Sequence, residues 1–398
     1  MKIAIIGGGA AGCFCAINIK RIHRHCDVEI FESGTRPLAK VAMTGGGRCN
    51  LTNSFQGIKN LSEAYPRGDK LMRRILSQFS QEDTMTWFER EGIRLVTQKD
   101  GCVFPESQNA MEIVDTLLRL CRQENVEIHL RSHVIIEKTI SGFIVNGKVF
   151  DRLAVSIGGC PKVSRLDFLA SLQLDIIPPV PSLFTFNIAG DWHQRLMGTV
   201  VENVVVSLAG TKYKSRDAIL LTHWGMSGPA ILKLSSHAAR YLSENGYQGT
   251  LIINWFGEKN ETEVRCEIVR MMEDNTQKFV TNVYPTHLTH EHWASLLCRA
   301  GIPHTQRWGA LNKKHINRLV TVLTSDTHCI TGRCHFKEEF VTAGGIALSN
   351  INMNTLECKR HPGLYFAGEV LDVDAITGGF NLQAAWSMAY VVAGNIGS

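Results

Sequence analysis

Apolar runs at the start of the chain predict a strand, a helix and a second strand. Residues 2–6 form a short apolar run, a glycine-rich turn and an apolar stretch follow, and residues 28–32 form a second run that ends in Glu32. Short apolar runs bounded by turn residues are typical of buried strands, and the longer stretch has the length of a helix. Two strands joined by a helix in this way lie parallel in one sheet.

Apolar spacing predicts further helices and strands in the first half of the chain. Helical spacing covers residues 71–92, and a second helix passes through Ala110 and Leu118 with Ser107 as its expected cap. The strands predicted after these helices cover residues 126–130, 134–137 and 149–157.

The pattern changes near Pro178. Prolines at 178, 179 and 181 predict a linker, alternating apolar residues after it predict short antiparallel strands, and helical spacing returns between Lys259 and Thr324. From Thr342 the pattern is again strand, turn and helix. We therefore predict an α/β chain of five segments: a first part of a Rossmann-like dinucleotide-binding domain (1–178), a β-rich insert domain (179–257), a helical insert (258–328), a return segment of the β-rich domain (329–341) and a second part of the dinucleotide-binding domain (342–398).

Composition places the chain among ordinary globular proteins. Of its 398 residues 44% are apolar and 20% charged, and 42 basic against 37 acidic residues give a net charge of +5. This mild, dispersed charge is compatible with acidic small molecules and does not by itself indicate a nucleic-acid partner. No apolar stretch approaches the roughly 18 residues needed to span a bilayer, so no membrane partner is expected.

Twelve cysteines are spaced irregularly, and no signal-peptide pattern precedes the first glycines. This usage in a long chain is typical of a reducing compartment, so we predict a cytoplasmic location. The pairs His328-Cys329 and Cys334-His335 offer zinc-type ligands, but adjacent residues point in different directions. We therefore predict no metal.

The turn after the first strand has the glycine pattern of a dinucleotide site. Gly7 permits a tight turn, Gly9 lets the backbone approach a pyrophosphate, and Gly12 lets the helix pack close to the sheet. The helix N-terminus presents unpaired N–H groups to the phosphates. Glu32, 20 residues beyond Gly12, is placed to accept hydrogen bonds from the adenosine ribose.

A second glycine-rich loop, Thr44-Gly-Gly-Gly-Arg-Cys-Asn50, follows this unit. Such a loop is often merely mobile, but its place beside a pyrophosphate site predicts contact with the cofactor through backbone N–H groups, with Arg48 as charge partner. Cys49 lacks a resolving partner, so we expect it to pack beneath the loop and not to act as a redox thiol. Gly158 and Gly159 form a strand-end turn that is also expected to approach the cofactor.

Both chain ends contribute glycine turns, which favours FAD over a nicotinamide as the resident cofactor. Glu369, after a late strand, would lie near the ribityl chain, and the helix after Gly379 would point its N-terminus at the flavin pyrimidine. No second glycine unit provides a nicotinamide domain, so NAD(P)H would bind transiently at the open flavin face, or an electron-donor protein would replace it. The predicted cofactor-binding residues are Gly7, Gly9, Ala10, Ala11, Gly12, Glu32, Ser33, Lys40, Thr44, Gly45, Gly46, Gly47, Arg48, Cys49, Asn50, Gly158, Gly159, Gly368, Glu369, Asp372, Gly378, Gly379, Phe380, Asn381 and Leu382.

Six motifs in order cover nearly the whole chain: Gly7-x-Gly9-x-x-Gly12, Thr44-Gly-Gly-Gly-Arg-Cys-Asn50, Val103-Phe-Pro105, Thr222-His-x-Gly-x-Ser-Gly-Pro229, Thr342-Ala-Gly-Gly345, and Gly368-Glu-Val-Leu-Asp372 with Gly378-Gly-Phe-Asn-Leu-Gln383. Together they resemble the BaiN/YhiN-type bacterial flavoproteins, labelled NAD(P)/FAD-dependent oxidoreductases or aminoacetone-oxidase-family FAD-binding enzymes. The resemblance implies a Rossmann-like FAD-binding domain built from both chain ends and interrupted by a β-barrel-like domain with a helical insert. The chain departs from the family at Cys102, Cys358 and Ala375, none of which lies in the pyrophosphate turn.

These observations predict an FAD-dependent oxidoreductase that transfers a hydride through flavin N5 to or from a small organic substrate. The resemblance implies a steroid-like substrate as one option. His223 is the candidate acid or base, and the alternative is a structural histidine in its turn. Two other functions stay open: a flavin-dependent RNA-modifying enzyme, which should show a continuous basic surface with aromatic stacking residues, and a non-catalytic flavin-binding sensor or interaction protein.

Overall fold

The computed structural model describes residues 1–160, 162–334 and 341–398. The chain forms two units, the first made of Met1–Ser182 and Val341–Ser398 and the second of Leu183–Phe340. Part of the predicted return segment 329–341, including His335, lies outside the described residues. No helix of the described ranges has the length and apolar character to cross a membrane.

Over residues 1–160 and 162–182, the first unit contains eleven strands and six α-helices. In chain order these are β1 (Lys2–Ile6), α1 (Ala10–Ile22), β2 (Asp27–Phe31), α2 (Ala39–Gly47), β3 (Thr52–Asn53), α3 (Leu61–Ala64), α4 (Asp69–Leu76), α5 (Gln81–Arg90), β4 (Leu95–Thr97), β5 (Cys102–Pro105), α6 (Ala110–Gln123), β6 (Glu127–His129), β7 (Ile136–Lys138), β8 (Phe143–Val145), β9 (Lys148–Phe150), β10 (Arg152–Val155) and β11 (Ile176–Ser182).

The second unit follows, and the chain then returns to the first. The elements of the second unit are β12 (Phe186–Ile188), β13 (Val200–Leu208), β14 (Lys214–Thr222), β15 (Gly225–Ser227), α7 (Pro229–His237), α8 (Ala239–Glu244), β16 (Gly249–Asn254), α9 (Glu261–Asp274), α10 (His290–Arg299), α11 (Lys313–Thr324) and β17 (Asp326–Arg333). The returning elements are β18 (Val341–Ile346), β19 (Leu364–Phe366) and α12 (Phe380–Ile396). Short 3-10 helices cover Val163–Leu172, Gln194–Leu196, Trp308–Ala310 and Leu348–Asn350.

A parallel sheet of the order β19-β10-β1-β2-β6 forms the centre of the first unit. The strands β1, β10 and β19 are mostly apolar and buried, as expected where helices cover a parallel sheet, whereas the edge strand β6 is polar and partly exposed. The last helix, α12, is apolar nearly all round and packs against α1, where the Trp386 and Phe14 rings lie 5.3 Å apart. Since β19 and α12 come from the C-terminal end, both chain ends build one Rossmann-like domain, and the predicted fold class is confirmed.

Local hydrogen bonds correct two predicted helices. The predicted helix 71–92 is two helices, α4 and α5, because Ser80 and Asp83 form a capping box that starts α5. The cap of α6 is Asn109, whose side-chain oxygen accepts the Met111 N–H at 2.9 Å, and not Ser107, whose hydroxyl bonds Glu112 instead. In both corrections, short polar side chains accept hydrogen bonds from free N–H groups and thereby set where a helix starts.

Six strands of the second unit close into a barrel in the order β12-β15-β14-β13-β16-β17. The helices α9, α10 and α11 are inserted between β16 and β17. Asp326, at the start of β17, is buried and accepts hydrogen bonds from Trp255 at 3.0 Å, His328 at 2.8 Å and the Arg299 Nε at 2.9 Å. Burial alone would raise the pKa of the Asp326 carboxyl, but His328 and Arg299 hold that pKa below its usual value. This carboxylate joins the helical insert to the barrel.

His292 gives a pH-dependent prediction for the second unit. Its ring is fully buried against Trp255, and burial lowers its pKa to about 4 from the usual 6.5. As the pH falls, the His292 ring takes up a proton in the unfolded chain before it does so in the folded protein. The contribution of the neutral ring to the unfolding free energy is therefore complete above pH 6.5 and is lost as the pH falls towards 4. We expect this group to remove about 3 kcal/mol of unfolding free energy over that range.

Chemical denaturation of the wild type and His292→Phe at several pH values measures this contribution. The phenylalanine keeps an aromatic ring in the site and does not titrate, so the variant should lose less stability than the wild type between pH 6.5 and 4. Parallel stability curves for the two proteins would show that His292 does not titrate as described.

Candidate functional site

In the turn between β1 and α1, the packing of the fold requires a glycine at position 12 but not at position 9. A Cβ on Gly12 would lie 1.9 Å from the Gly7 carbonyl oxygen, so close packing of helix on strand excludes any side chain there. A Cβ on Gly9 would meet no protein atom within 4 Å, although Gly9 precedes the first turn of α1. The space in front of the helix N-terminus is therefore open, as an approaching phosphate would require.

Glu32 is fixed beside this turn. It follows β2, its Oε2 accepts the Gly8 N–H at 2.8 Å, and its Oε1 accepts the Gly34 N–H at 2.6 Å. The neighbouring Ser33 is exposed, with its hydroxyl 3.5 Å from the same carboxylate. The two backbone donors hold a half-buried acceptor at the end of the strand.

The C-terminal end of α2, where the second glycine loop begins, has an unusual backbone. Gly45, Gly46 and Gly47 have φ values of 59°, 68° and 82°, a left-handed region in which side chains are strained. A Cβ on Gly46 or Gly47 would meet no protein atom within 4 Å, so this backbone is open to a ligand. Cys49 lies buried at the end of the loop, and burial raises the pKa of its thiol to about 12. The thiol therefore stays protonated at neutral pH, which disfavours redox chemistry.

The side chain of Arg48, in the same loop, is held by two contacts. Its Nε donates to the Gly45 carbonyl at 3.1 Å, and its guanidinium carbon lies 4.6 Å from the centre of the Phe104 ring. The Phe104 ring also lies 3.2 Å from the place of a Cβ on Gly45. Arg48 is exposed, so its remaining donors can reach a ligand.

Segments from both chain ends meet near Glu369. Its Oε1 accepts the Thr342 N–H at 2.7 Å, and its Oε2 lies 3.9 Å from the Lys40 ammonium. Gly159 has no room for a Cβ, which would lie 2.3 Å from the Glu369 carboxylate. A Cβ on the neighbouring Gly368 would contact Ala11 on α1 at 3.4 Å. The structure thus brings together predicted residues from four segments of the chain.

Hydrogen bonds join the second glycine loop to the start of α12. Asn53 donates to the Gly378 carbonyl at 2.9 Å, and Asn50, with its amide oxygen towards Gly379, accepts the Gly379 N–H at 3.2 Å. Deeper in the unit, the amide of Gln383 bonds the Thr52 hydroxyl, and its nitrogen donates to Thr84 at 2.9 Å. The side chains of Thr52, Thr84 and Gln383 are fully buried.

Three predicted residues near α12 have structural side chains. The Phe380 ring is buried 5.0 Å from the Phe55 ring, the Asn381 amide bonds the backbone N–H and carbonyl of Ala375, and Leu382 packs against the core. Only their backbone N–H groups face the start of the helix as possible donors. Asp372, half-buried, donates its N–H to the Ile346 carbonyl at 3.0 Å. Their contact with a cofactor stays a prediction.

His223 belongs to the second unit. It lies exposed in the two-residue turn between β14 and β15, its ring is 4.3 Å from the Trp224 ring, and its backbone hydrogen-bonds the His193 ring. Its catalytic role stays a prediction. Of the zinc-type pairs, His328 bonds Asp326, and His335 lies outside the described residues.

Sequence reasoning did not single out Asn53, Thr52, Gln383 or Thr342 as site residues. The traces in the sequence are the position of Leu51-Thr-Asn53 directly after the glycine loop and the presence of Thr342 and Gln383 in two of the six motifs. The pairing of Thr52 with Gln383 spans 331 positions, and no local pattern indicates it.

The two glycines of the first turn give a paired prediction. Gly9→Ala should leave the stability of the apoprotein unchanged, because the new methyl meets no protein atom, and should weaken FAD binding by roughly tenfold or more, since about 1.4 kcal/mol of conflict suffices for that. Gly12→Ala should instead destabilise the fold by about 1–3 kcal/mol. Thermal unfolding and FAD titration of the apoproteins measure both effects.

Gly394→Ala is the matched control, since Gly394 is an exposed position of α12 with room for a methyl. This variant should leave FAD binding unchanged. It should change the unfolding free energy by no more than about 1 kcal/mol. Equal FAD affinity of Gly9→Ala and wild type would refute the placement of the phosphates at this turn.

Removing the Glu32 carboxylate tests the ribose contact. Glu32→Ala should weaken FAD binding by roughly tenfold to a hundredfold, as expected for loss of hydrogen bonds to a charged group worth about 1.5–3 kcal/mol. Glu32→Gln keeps one oxygen acceptor and should fall between the variant and the wild type. Titration of each apoprotein with FAD measures the change, and an unaltered dissociation constant in Glu32→Ala contradicts the assignment.

Comparisons with known proteins identify the family of the chain. The model of the HI0933-like protein Rossmann domain matches residues 1–395. The chain is 29% identical to a ribosomal RNA dihydrouridine synthase of Escherichia coli (strain K12), covering 98% of this chain and 96% of that protein.

Two further relatives span the chain in the same way. One is a 3-dehydro-bile acid delta(4,6)-reductase of Clostridium scindens (strain ATCC 35704 / DSM 5676 / VPI 13733 / 19), 27% identical with coverage of 98% and 97%. The other is a ribosomal RNA dihydrouridine synthase of Haemophilus influenzae (strain ATCC 51907 / DSM 11121 / KW20 / Rd), 27% identical with coverage of 98% and 96%. The resemblance to BaiN/YhiN-type proteins is thereby confirmed, and the chain belongs to the HI0933-like Rossmann family of FAD-binding oxidoreductases.

Proposed function

We propose that this chain is an FAD-dependent reductase that transfers a hydride to a carbon–carbon double bond conjugated with a carbonyl group. The observation behind the proposal is the open backbone of two glycine segments, Gly9 and Gly46–Gly47, joined to the start of α12 by hydrogen bonds. Such a surface suits a long ligand with a phosphate group at one end and a planar ring at the other.

The residues present fit FAD as this ligand. In the proposal, Glu32 binds the ribose, the N–H groups after Gly9 bind the pyrophosphate, Lys40 and Glu369 lie near the ribityl chain, and the start of α12 faces the flavin pyrimidine. When bound and reduced, FAD supplies a hydride from N5. The N–H groups at the start of α12 stabilise negative charge at that end of the site.

The names of two relatives support the reaction class. A dihydrouridine synthase and a delta(4,6)-reductase both name the saturation of a double bond that is conjugated with a carbonyl group. Because the substrates differ greatly while the full chains correspond, the shared element is the activated double bond. We propose a small organic substrate of this kind, NAD(P)H as a transient reductant or an electron-donor protein in its place, and a cytoplasmic location.

After a hydride adds to one carbon of the double bond, the other carbon needs a proton from an acid. His223 is the proposed donor because it is exposed at a turn, and an imidazole can hold a proton at neutral pH.

A second candidate function is the reduction of uridine in ribosomal RNA. Two of the three relatives named above carry that activity in their names. The chain's net charge of +5 is modest for an RNA-binding surface, so the small substrate is our first choice.

Anaerobic mixing of the chemically reduced holoprotein with a steroidal 4,6-dien-3-one tests the proposal. We expect the yellow flavin absorbance to return and the steroid to gain two hydrogens, which mass spectrometry detects. A saturated 3-ketosteroid is the control, and it should leave the flavin reduced because it offers no activated double bond. Separate mixing of oxidised protein with NADH and NADPH identifies the reductant by bleaching of the flavin.

In vitro transcribed ribosomal RNA forms the second arm of the same experiment. Reoxidation by the RNA, with dihydrouridine in the product and no reaction with the steroid, favours the second candidate. Failure of both substrates to reoxidise the flavin contradicts the proposed reaction class and favours a non-catalytic flavin-binding protein.

A further inference from the structure

The side chain of Arg48 is held in place although it is exposed. The hydrogen bond from its Nε to Gly45 and the stacking on Phe104 fix the guanidinium at two points. Stacking on a ring and a rigid hydrogen-bonding fork distinguish arginine from lysine at such a site. Both contacts use the Nε edge and one face of the group, so the two terminal nitrogens remain available as donors.

Within the described part of the chain, no carboxylate forms an ion pair with Arg48. Other arginines of the first unit are paired, for example Arg67 with Asp374 and Arg21 with Glu91. A positioned cation without a counter-charge next to a cofactor site is suited to bind an electron-rich oxygen of a ligand.

The position of the loop indicates which end of the cofactor Arg48 serves. Two residues further along, Asn50 bonds Gly379 at the start of α12, and Asn53 bonds Gly378. This end of the loop is thus joined to the segment proposed to face the flavin ring, whereas the proposed phosphate contacts lie at α1. This position favours the reacting end of the site for Arg48, in place of the role as charge partner of the cofactor that the sequence predicted.

We propose that Arg48 binds the carbonyl oxygen of the substrate and stabilises the negative charge that develops there. This inference rests on the proposed function. Hydride addition forms a C–H bond at the β-carbon, the π electrons move to the carbonyl oxygen to give an enolate, and a proton from an acid then adds to the α-carbon. The substrate gains one hydride and one proton, and reduced FAD supplies the hydride and is oxidised. The guanidinium donates hydrogen bonds to the oxygen throughout and is not consumed.

Arg48→Ala and Arg48→Lys test this role with two readouts. The first is kcat/KM for the steroidal 4,6-dien-3-one, a neutral substrate, which should fall about a hundredfold in Arg48→Ala because one oxyanion donor is lost. The second is equilibrium binding of para-chlorophenol, whose phenolate oxygen resembles an enolate. Its affinity, measured through the change in the flavin spectrum, should fall at least tenfold. Arg48→Lys keeps the charge but not the fork or the stacking, and should recover only part of either quantity.

Arg307→Ala is the matched control, because Arg307 stacks on Phe279 at 5.3 Å in the second unit. It should leave both quantities unchanged. FAD content and thermal unfolding midpoint of the Arg48 variants should equal those of the wild type. Loss of FAD in these variants would overturn the inference and return Arg48 to cofactor binding.

The two proposals fail in different ways. If the wild type reduces neither the dienone nor the RNA, the proposed reaction class fails, and phenolate binding still decides the role of Arg48 because it needs no turnover. If the wild type is active and Arg48→Ala matches it in kcat/KM, the inference is wrong. Wild-type protein that binds no phenolate also counts against it.

Discussion

The hydrogen bonds between the β3 segment and α12 hold the two ends of the chain together beside the candidate site. The Gln383 amide bonds Thr52 and Thr84, Ser387 accepts from Gln383 at 2.7 Å, and the Trp386 indole donates to the Leu51 carbonyl at 3.0 Å. These side chains are fully buried. A buried polar group without a partner costs about 1–3 kcal/mol, so this network is satisfied in only one register of the helix against the strand.

Fixing that register determines the electrostatics of the site. The start of α12 and the left-handed glycines of the second loop both present backbone N–H groups, and the bonds of Asn50 and Asn53 hold them next to one another. Donors that are already in place need not reorganise when charge develops during a reaction. The same network therefore serves stability and the proposed chemistry.

Steric contacts explain some glycines of the motifs, whereas others have open space in front of them. Gly12 and Gly159 have no room for a side chain because the Gly7 carbonyl and the Glu369 carboxylate occupy the space. Gly9, Gly46 and Gly47 face no protein atom at the corresponding place. A glycine motif in a sequence contains both kinds, and only three-dimensional packing separates them.

The sequence by itself determined the parallel βαβ start and the strand-rich and helical inserts, because these follow from periodicity and from glycine spacing over short distances. The order of its motifs indicated the family, which the family model confirms. The residues of the candidate site stay predictions. The sequence did not determine the break between α4 and α5, where a capping box at Ser80 outweighs continuous helical spacing. Only the tertiary structure decided that Thr52 pairs with Gln383, that Arg48 stacks on Phe104, and that the side chains of Phe380 and Asn381 stabilise the fold. Each of these contacts depends on how distant segments pack together. Packing depends on the whole chain, whereas a local sequence pattern depends on only a few neighbouring residues.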